Sequence, residues 1–276
     1  MAHVARTALA LALIGGGGWA LAPPTSTWPE LWRWADQEIN ARLPGVRPYP
    51  VDADLQSLTT SSSPHVTTDV HAYASTELRL IRAAVVSAHG AAPHALNFVI
   101  FPRATCDLPC FGADLITLPG GHLVCLDFHP MTTHSSDSEV DALMARLDDA
   151  HTRHSKILAW GGDLPEAART YFSPRLLWSR LPRDASSESM DAVGDALKEY
   201  LGLYLDLVEI VGARAPLAPT SARAAALEAA QRDYCEYRAE NDPARGMLTR
   251  LYGGDRAERL IRDFLFHTED RLSGGF

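Results

Sequence analysis

Three apolar runs set the constraint: LNFVIFP (96–102), FGADLITLP (111–119) and HLVCLDFHP (122–130) follow one another with turn residues between them. Each has strand length, and Pro119-Gly120-Gly121 is a tight-turn signal between the last two. They predict an antiparallel meander. Alternation along the first run puts Asn97 on the same side as Val99 and Phe101. Asp114 then falls at the mouth of the neighbouring strand, after a glycine-containing turn.

Around the meander the pattern turns helical. In WPELWRWADQEINARL (28–43), Trp28, Leu31, Trp32, Trp34, Ala35, Ile39 and Leu43 recur at near-helical spacing. STELRLIRAAVVSAHG (75–90) reads as a helix, with Leu78, Ile81 and Val85 on one face and Gly90 as its stop. Residues 55–68 are rich in Ser and Thr and read as an irregular loop. Amphipathic helices are predicted over 137–154, 189–211 and 221–240, with an extended segment at 168–182 and a helical end over 244–266. Strands in the middle with helices before and after predict one α/β layered domain over 23–276.

Residues 1–22, MAHVARTALALALIGGGGWALA, have the grammar of a signal leader: a weak basic start at Arg6, an apolar run and the small-residue end Ala20-Leu21-Ala22. The run is too short and glycine-rich for a membrane span, and no later segment is long and apolar enough for one. The net charge of −9 argues against broad nucleic-acid binding. There is no dinucleotide fingerprint, phosphate loop, nucleophile elbow or HExxH zinc motif. Cys106, Cys110, Cys125 and Cys235 lack zinc spacing and read as ordinary thiols. His151 and His154 are one helical turn apart, which a solvated helix face explains better than a metal site.

Two acids remain. Asp114 is either a satisfied turn residue or a group kept for chemistry. Asp242, ahead of Pro243, is either an ordinary helix start or a proton donor, with Arg238 one helical turn before it. FPRATCDLPCFGADLITLPGGHLVCLDFHP, YFSPRLLWSRLP and YRAENDPARGMLTRLYGGDRAERLIRDFLF resemble the ferredoxin-dependent bilin reductases, from about residue 28 to the C-terminus. The resemblance implies an α/β/α sandwich with a central antiparallel sheet and a bilin held between the sheet and the C-terminal helices. It implies an oxidoreductase with no bound cofactor or metal, fed single electrons by reduced ferredoxin, whose acids deliver protons to a bilin radical.

The family's central proton-donating aspartate matches Asp114, and its C-terminal acid matches Asp242. Asn97 and Arg238 would position charges beside them. Ser173 and Arg180 lie in the YFSP…R motif, and Arg180 would clamp a bilin propionate or help Arg169, Arg175 and Arg183 dock acidic ferredoxin. The phycocyanobilin-forming type has a histidine at the Asn97 position and a glutamate near Ala84 or Val85, and both are absent here. ELWRWADQEINARL, RPYP, ITLPGGH and FSPRLLWSRLP are most like the phycoerythrobilin-forming type. That similarity implies reduction of the A-ring diene of 15,16-dihydrobiliverdin, with an upstream bilin reductase as a further partner. Two alternatives stand beside it: another bilin reductase acting on biliverdin, and a non-catalytic bilin carrier. A signal-like leader on such an enzyme implies a plastid reached by the secretory route, the alternative being a cyanobacterial cytoplasm.

Overall fold

The computed structural model describes residues 28–60, 65–88, 93–132 and 137–272. The leader expected over 1–22 lies outside them.

The meander forms as expected. Strands β5 (His94–Pro102), β6 (Cys110–Leu118) and β7 (Gly121–His129) pair antiparallel, and Leu118 opposite Gly121 closes the last hairpin over Pro119-Gly120. Gly121 has φ 141°, and a Cβ there would lie 2.3 Å from the Leu181 carbonyl oxygen, so only glycine lets β8 (Leu177–Leu181) approach. The full sheet has eight strands, in the order β1 (Arg47–Pro48), β3 (Val66–Ala74), β4 (Leu78–Ala88), β5, β6, β7, β8, with β2 (Ser57–Thr59) also on β3. Every pairing is antiparallel.

Two expectations fail here. No helix forms over the described part of 75–90: Leu78–Ala88 is strand β4, with every residue from Leu78 to Val86 buried, and the expected stop at Gly90 lies outside the described residues. Its Ile81, Ala83 and Val85 enter one core while Leu80 and Ala84 enter the other. A strand covered on both faces shows no period-2 alternation, here with the buried Arg79 and Arg82 inside its apolar run, and the helical spacing of Leu78, Ile81 and Val85 is incidental. The Ser/Thr-rich stretch 55–68 is no mere loop either. Thr is at home on a pleated surface, and Ser57–Thr59 and Val66 onward both join the sheet.

Helices cover both faces. On one side α1 (Trp28–Arg42), α2 (Ser138–His154) and α4 (Ser187–Gly212) bury Trp28, Trp32, Ile39, Leu143, Leu197, Tyr200 and Tyr204 against Phe98, Phe111 and Phe128. On the other, α5 (Ala222–Glu240), α6 (Arg245–Tyr252), α7 (Gly254–Arg259) and a π-helical turn (Leu260–Leu265) cover Leu80, Val99, Phe101 and Cys110. The short α3 (Glu166–Arg169) lies in the loop leading to β8. The architecture is the α/β/α sandwich with a central antiparallel sheet. His154 corrects a further reading: it is buried, and its Nε2 meets Glu199 Oε2 at 2.8 Å across to α4. Among the described residues no His/Cys/Asp/Glu cluster could hold a metal, and no helix is long and apolar enough to cross a membrane. All four cysteines are free thiols.

Candidate active site

Pleat and register line up one row of side chains on the face covered by α5 to α7. Val70, Ala84, Asn97, Asp114, Cys125 and Trp178 are consecutive partners across β3 to β8. Residues in register on adjacent strands share a face. Asp114 is therefore the middle residue of a central strand, not a turn residue at a strand mouth. Its carboxylate is half-buried, as are Asn97 and Cys125 beside it, while their outer neighbours toward α5 are sealed. This is the open floor of a site between sheet and helices.

Asn97 Nδ2 donates to Asp114 Oδ1 at 3.1 Å. Behind Asn97 lies Arg82 of β4, wholly buried. Its Nε donates to the Leu265 carbonyl at 3.0 Å, and its Nη1 donates to the Asn97 carbonyl at 3.3 Å and, more closely, to Asn97 Oδ1. Burial pulls the Arg82 guanidinium down to about 10, which leaves it charged at neutral pH. Arg82 and Arg238 each lie 5.3 Å from the centre of the Phe266 ring. Arg82 Nη2 and Arg238 Nε are buried donors with no acceptor among the described residues.

The helical wall brings the second acid. Asp242 sits where α5 ends and α6 has yet to begin, and its Oδ1 accepts from Ala244 N at 2.6 Å. The helix-start reading of Asp242 does not hold, since the cap position of α6 falls on Ala244. The bond closes a local turn ahead of the helix, because α6 starts at Arg245. Burial pushes the Asp242 carboxyl above its ordinary value, with Asp114 adding to the effect and Arg238 and Arg82 opposing it. Burial alone would lower the Arg238 guanidinium, but Tyr234, Asp242 and Asp114 outweigh it and hold it up. Arg238 couples to both acids electrostatically, without a hydrogen bond to either. Asp114, Asp242, Asn97 and Arg238 are thus brought into one electrostatic group.

Ser173 and Arg180 stand apart. The Ser173 hydroxyl and backbone N–H both donate to Asp127, the latter at 2.8 Å. Arg180 is exposed on β8 opposite Leu123, two residues along from Trp178 and on the same face, with its guanidinium over that ring at 5.4 Å. A separate cleft of about 740 Å³ runs beside β8, lined by His151, Trp160, Arg169, Phe172, Ser173 and Trp178 among others. Arg175 is held by Asp148 at 2.7 Å, whereas Arg169, Arg180 and Arg183 are exposed and form no ion pair among the described residues.

Sequence reasoning missed Arg82, Asp127 and His129. Asp127 is wholly buried, and its Oδ2 lies 3.3 Å from His129 Nδ1, which donates to the Tyr171 carbonyl at 3.1 Å. The available signal was a charged residue inside an apolar run, such as Arg82 in LRLIRAAVV and Asp127 in HLVCLDFHP. A charge that a strand carries into a core needs a designated partner there.

Comparisons with known proteins agree with this architecture. A family profile described as ferredoxin-dependent bilin reductase matches residues 35–267. The phycoerythrobilin:ferredoxin oxidoreductase of Nostoc punctiforme is 41% identical over 233 residues, covering 83% of this chain and 88% of that protein. Its namesake in Gloeobacter violaceus is 42% identical over 240 residues, covering 85% and 93%. Among solved structures, phytochromobilin synthase from tomato in complex with biliverdin superposes with a TM-score of 0.78 at 25% identity, covering 89% of this chain and 85% of that one. The chain belongs to the ferredoxin-dependent bilin reductases and is an oxidoreductase of that family.

Proposed function

We propose that the chain reduces the A-ring diene system of 15,16-dihydrobiliverdin to phycoerythrobilin. The observation that carries the reading is the opposition of two acids across the site, Asp114 on the sheet and Asp242 on the helical wall, with Arg238 coupled to both. The names of relatives near 40% identity support the choice of bilin. The reduction takes up two electrons and two protons. Ferredoxin delivers the electrons one at a time, so the bilin passes through a radical that a nearby acid must protonate before it escapes. A carboxyl raised by burial is suited to giving up a proton near neutral pH, and that favours Asp242 as a donor toward the A-ring. Asp114, on the sheet, supplies the other proton. The electrons enter the bilin directly from ferredoxin, and no resident flavin or metal takes part.

The buried donors Arg82 Nη2 and Arg238 Nε suit an occupant that brings carbonyl oxygens, as a bilin does. Arg180 on the same face is placed to meet a propionate, and the exposed Arg169, Arg180 and Arg183 along the β8 side offer an acidic ferredoxin a basic approach on a chain that is negative overall. Ser173, tied to Asp127, shapes that side of the pocket. A plastid location rests on the leader alone, and an upstream bilin reductase supplies the substrate.

The test adds reduced ferredoxin to the protein with 15,16-dihydrobiliverdin and, separately, with biliverdin. Conversion of the first to phycoerythrobilin, followed by absorption and chromatography, is the expected result. Conversion of biliverdin alone overturns the choice of substrate. Tight binding of both without turnover marks the chain as a carrier.

A further inference from the structure

Arg82 has no part in the reading above beyond its unpartnered nitrogen, yet it is a fully buried cation one pleat from the proposed proton donors. Burying a guanidinium is costly unless its position does something for the fold or the site. Its hydrogen bonds show what. Arginine can only donate, so the side-chain oxygen of Asn97 must face Arg82 Nη1. The Asn97 amide has two chemically distinct ends that are ordinarily interchangeable in a pocket. With the oxygen fixed on Arg82, the NH2 end is fixed on Asp114 Oδ1, at 3.1 Å. In a carboxylic acid the carbonyl oxygen is the better acceptor and the hydroxyl oxygen the poorer one. The N–H on Oδ1 therefore favours that oxygen as the carbonyl end, and a transferable proton on Asp114 on Oδ2.

We propose that Arg82 is a positioning residue: through Asn97 it fixes which oxygen of Asp114 carries the proton delivered to the bilin. The strand register makes the chain of contacts short. Ala84 is the direct partner of Asn97, so Arg82 reaches it diagonally across β4 and β5, and Asn97 is the direct partner of Asp114 across β5 and β6. Arg82 is itself clamped by the Leu265 carbonyl and the Phe266 ring, so the π-helical turn at the C-terminal end holds the orientation of the acid on the sheet. Without Arg82, Asn97 can turn over and offer its oxygen to Asp114. The proton then moves to Oδ1, between the two side chains and away from the ligand.

The inference rests on the reading of Asp114 as a proton donor, and the test separates the two. In a double-mutant cycle, Arg82→Met and Asn97→Ala are each expected to lower kcat by roughly 10- to 100-fold with little change in KM, the scale of a misplaced catalytic group. The double variant is expected to be no worse than the poorer single one, because both break the same chain. Arg82→Lys, which keeps a cationic donor, should recover most of the rate. Losses that multiply in the double variant overturn the proposal while leaving the bilin reading intact. The second measurement needs no turnover: the side-chain NH2 signals of Asn97 in the protein without bilin. In the parent and in Arg82→Lys, one proton should exchange slowly because Asp114 holds it, and in Arg82→Met that protection should fall about tenfold or more. An unchanged Asn97 signal in Arg82→Met overturns the proposal even where the parent enzyme fails to reduce bilin. Should Arg82→Met not fold, loss of the protected proton in Arg82→Lys is the overturning result.

Discussion

Replacing Asp242 by Asn separates a proton donor from a turn-forming residue, because the two roles predict opposite results. Asn keeps the shape and an oxygen acceptor, so the bond from Ala244 N at 2.6 Å survives and the local turn is retained. The substitution removes a buried negative charge. Arg238 still faces Asp114 and is not left without a counter-charge. Because the Asp242 carboxyl is raised in the folded protein, it binds a proton more readily there than in the unfolded chain. Stability from this group is therefore greatest at low pH and declines as pH rises from the ordinary carboxylate range through the raised value. Asp242→Asn should lack that decline and be at least as stable as the parent at pH 8, the two converging as pH falls toward 4. Asp242→Ala loses the turn bond as well and should unfold about 1 kcal/mol more easily. Bilin reduction should drop in both by roughly 10²- to 10⁴-fold, the usual worth of a positioned acid. Urea unfolding at several pH values and product chromatography provide the assay. Asp242→Asn that unfolds about 1 kcal/mol early while turning over at the parent rate would refute the reasoning and leave Asp242 a turn residue.

Three further outcomes are expected. Asp114→Asn should still bind bilin but stall after the first electron, and a radical should accumulate in electron paramagnetic resonance; parent-level turnover with no radical contradicts the role. Gly112→Ala should lower the free energy of unfolding by about 2–3 kcal/mol, read from the urea midpoint, because a Cβ there would lie 2.2 Å from His129 Nε2 and force the buried ring off the Tyr171 carbonyl and the Tyr234 ring. Gly120→Ala, with nothing within 4 Å of the added atom, serves as the control and should shift it by less than about 0.5 kcal/mol. Turnover at limiting ferredoxin should fall as salt rises from 50 to 500 mM, by about tenfold or more, and the fall should flatten in Arg169→Gln/Arg183→Gln; a flat profile in the parent argues against electrostatic docking.

What was legible in the sequence, and what was not, follows from where each contact is made. The β5–β6–β7 meander was readable because its turn residues and its period-2 alternation are local, and α1, α2 and α5 were readable because each buries a single stripe. Asp114 and Asp242 could be picked out as acids with two possible roles. Their opposition across the site could not, since β6 and the α5–α6 junction are far apart in the chain and meet only through the packing of α5 to α7 on the sheet. The failure at 75–90 had a further consequence. In a helix, Arg82 and Ala84 point about 200° apart, so nothing places Arg82 on one face with the partner of Asn97. In a strand, Arg82 and Ala84 share a face, that face is the one carrying Asn97 and Asp114, and the arginine lands in the core of the site. Nothing local distinguishes the two, because a strand buried on both sides has no polar face to set its period. The arginine behind Asn97 was therefore hidden by the same two-sided burial that makes its charge depend on designated partners.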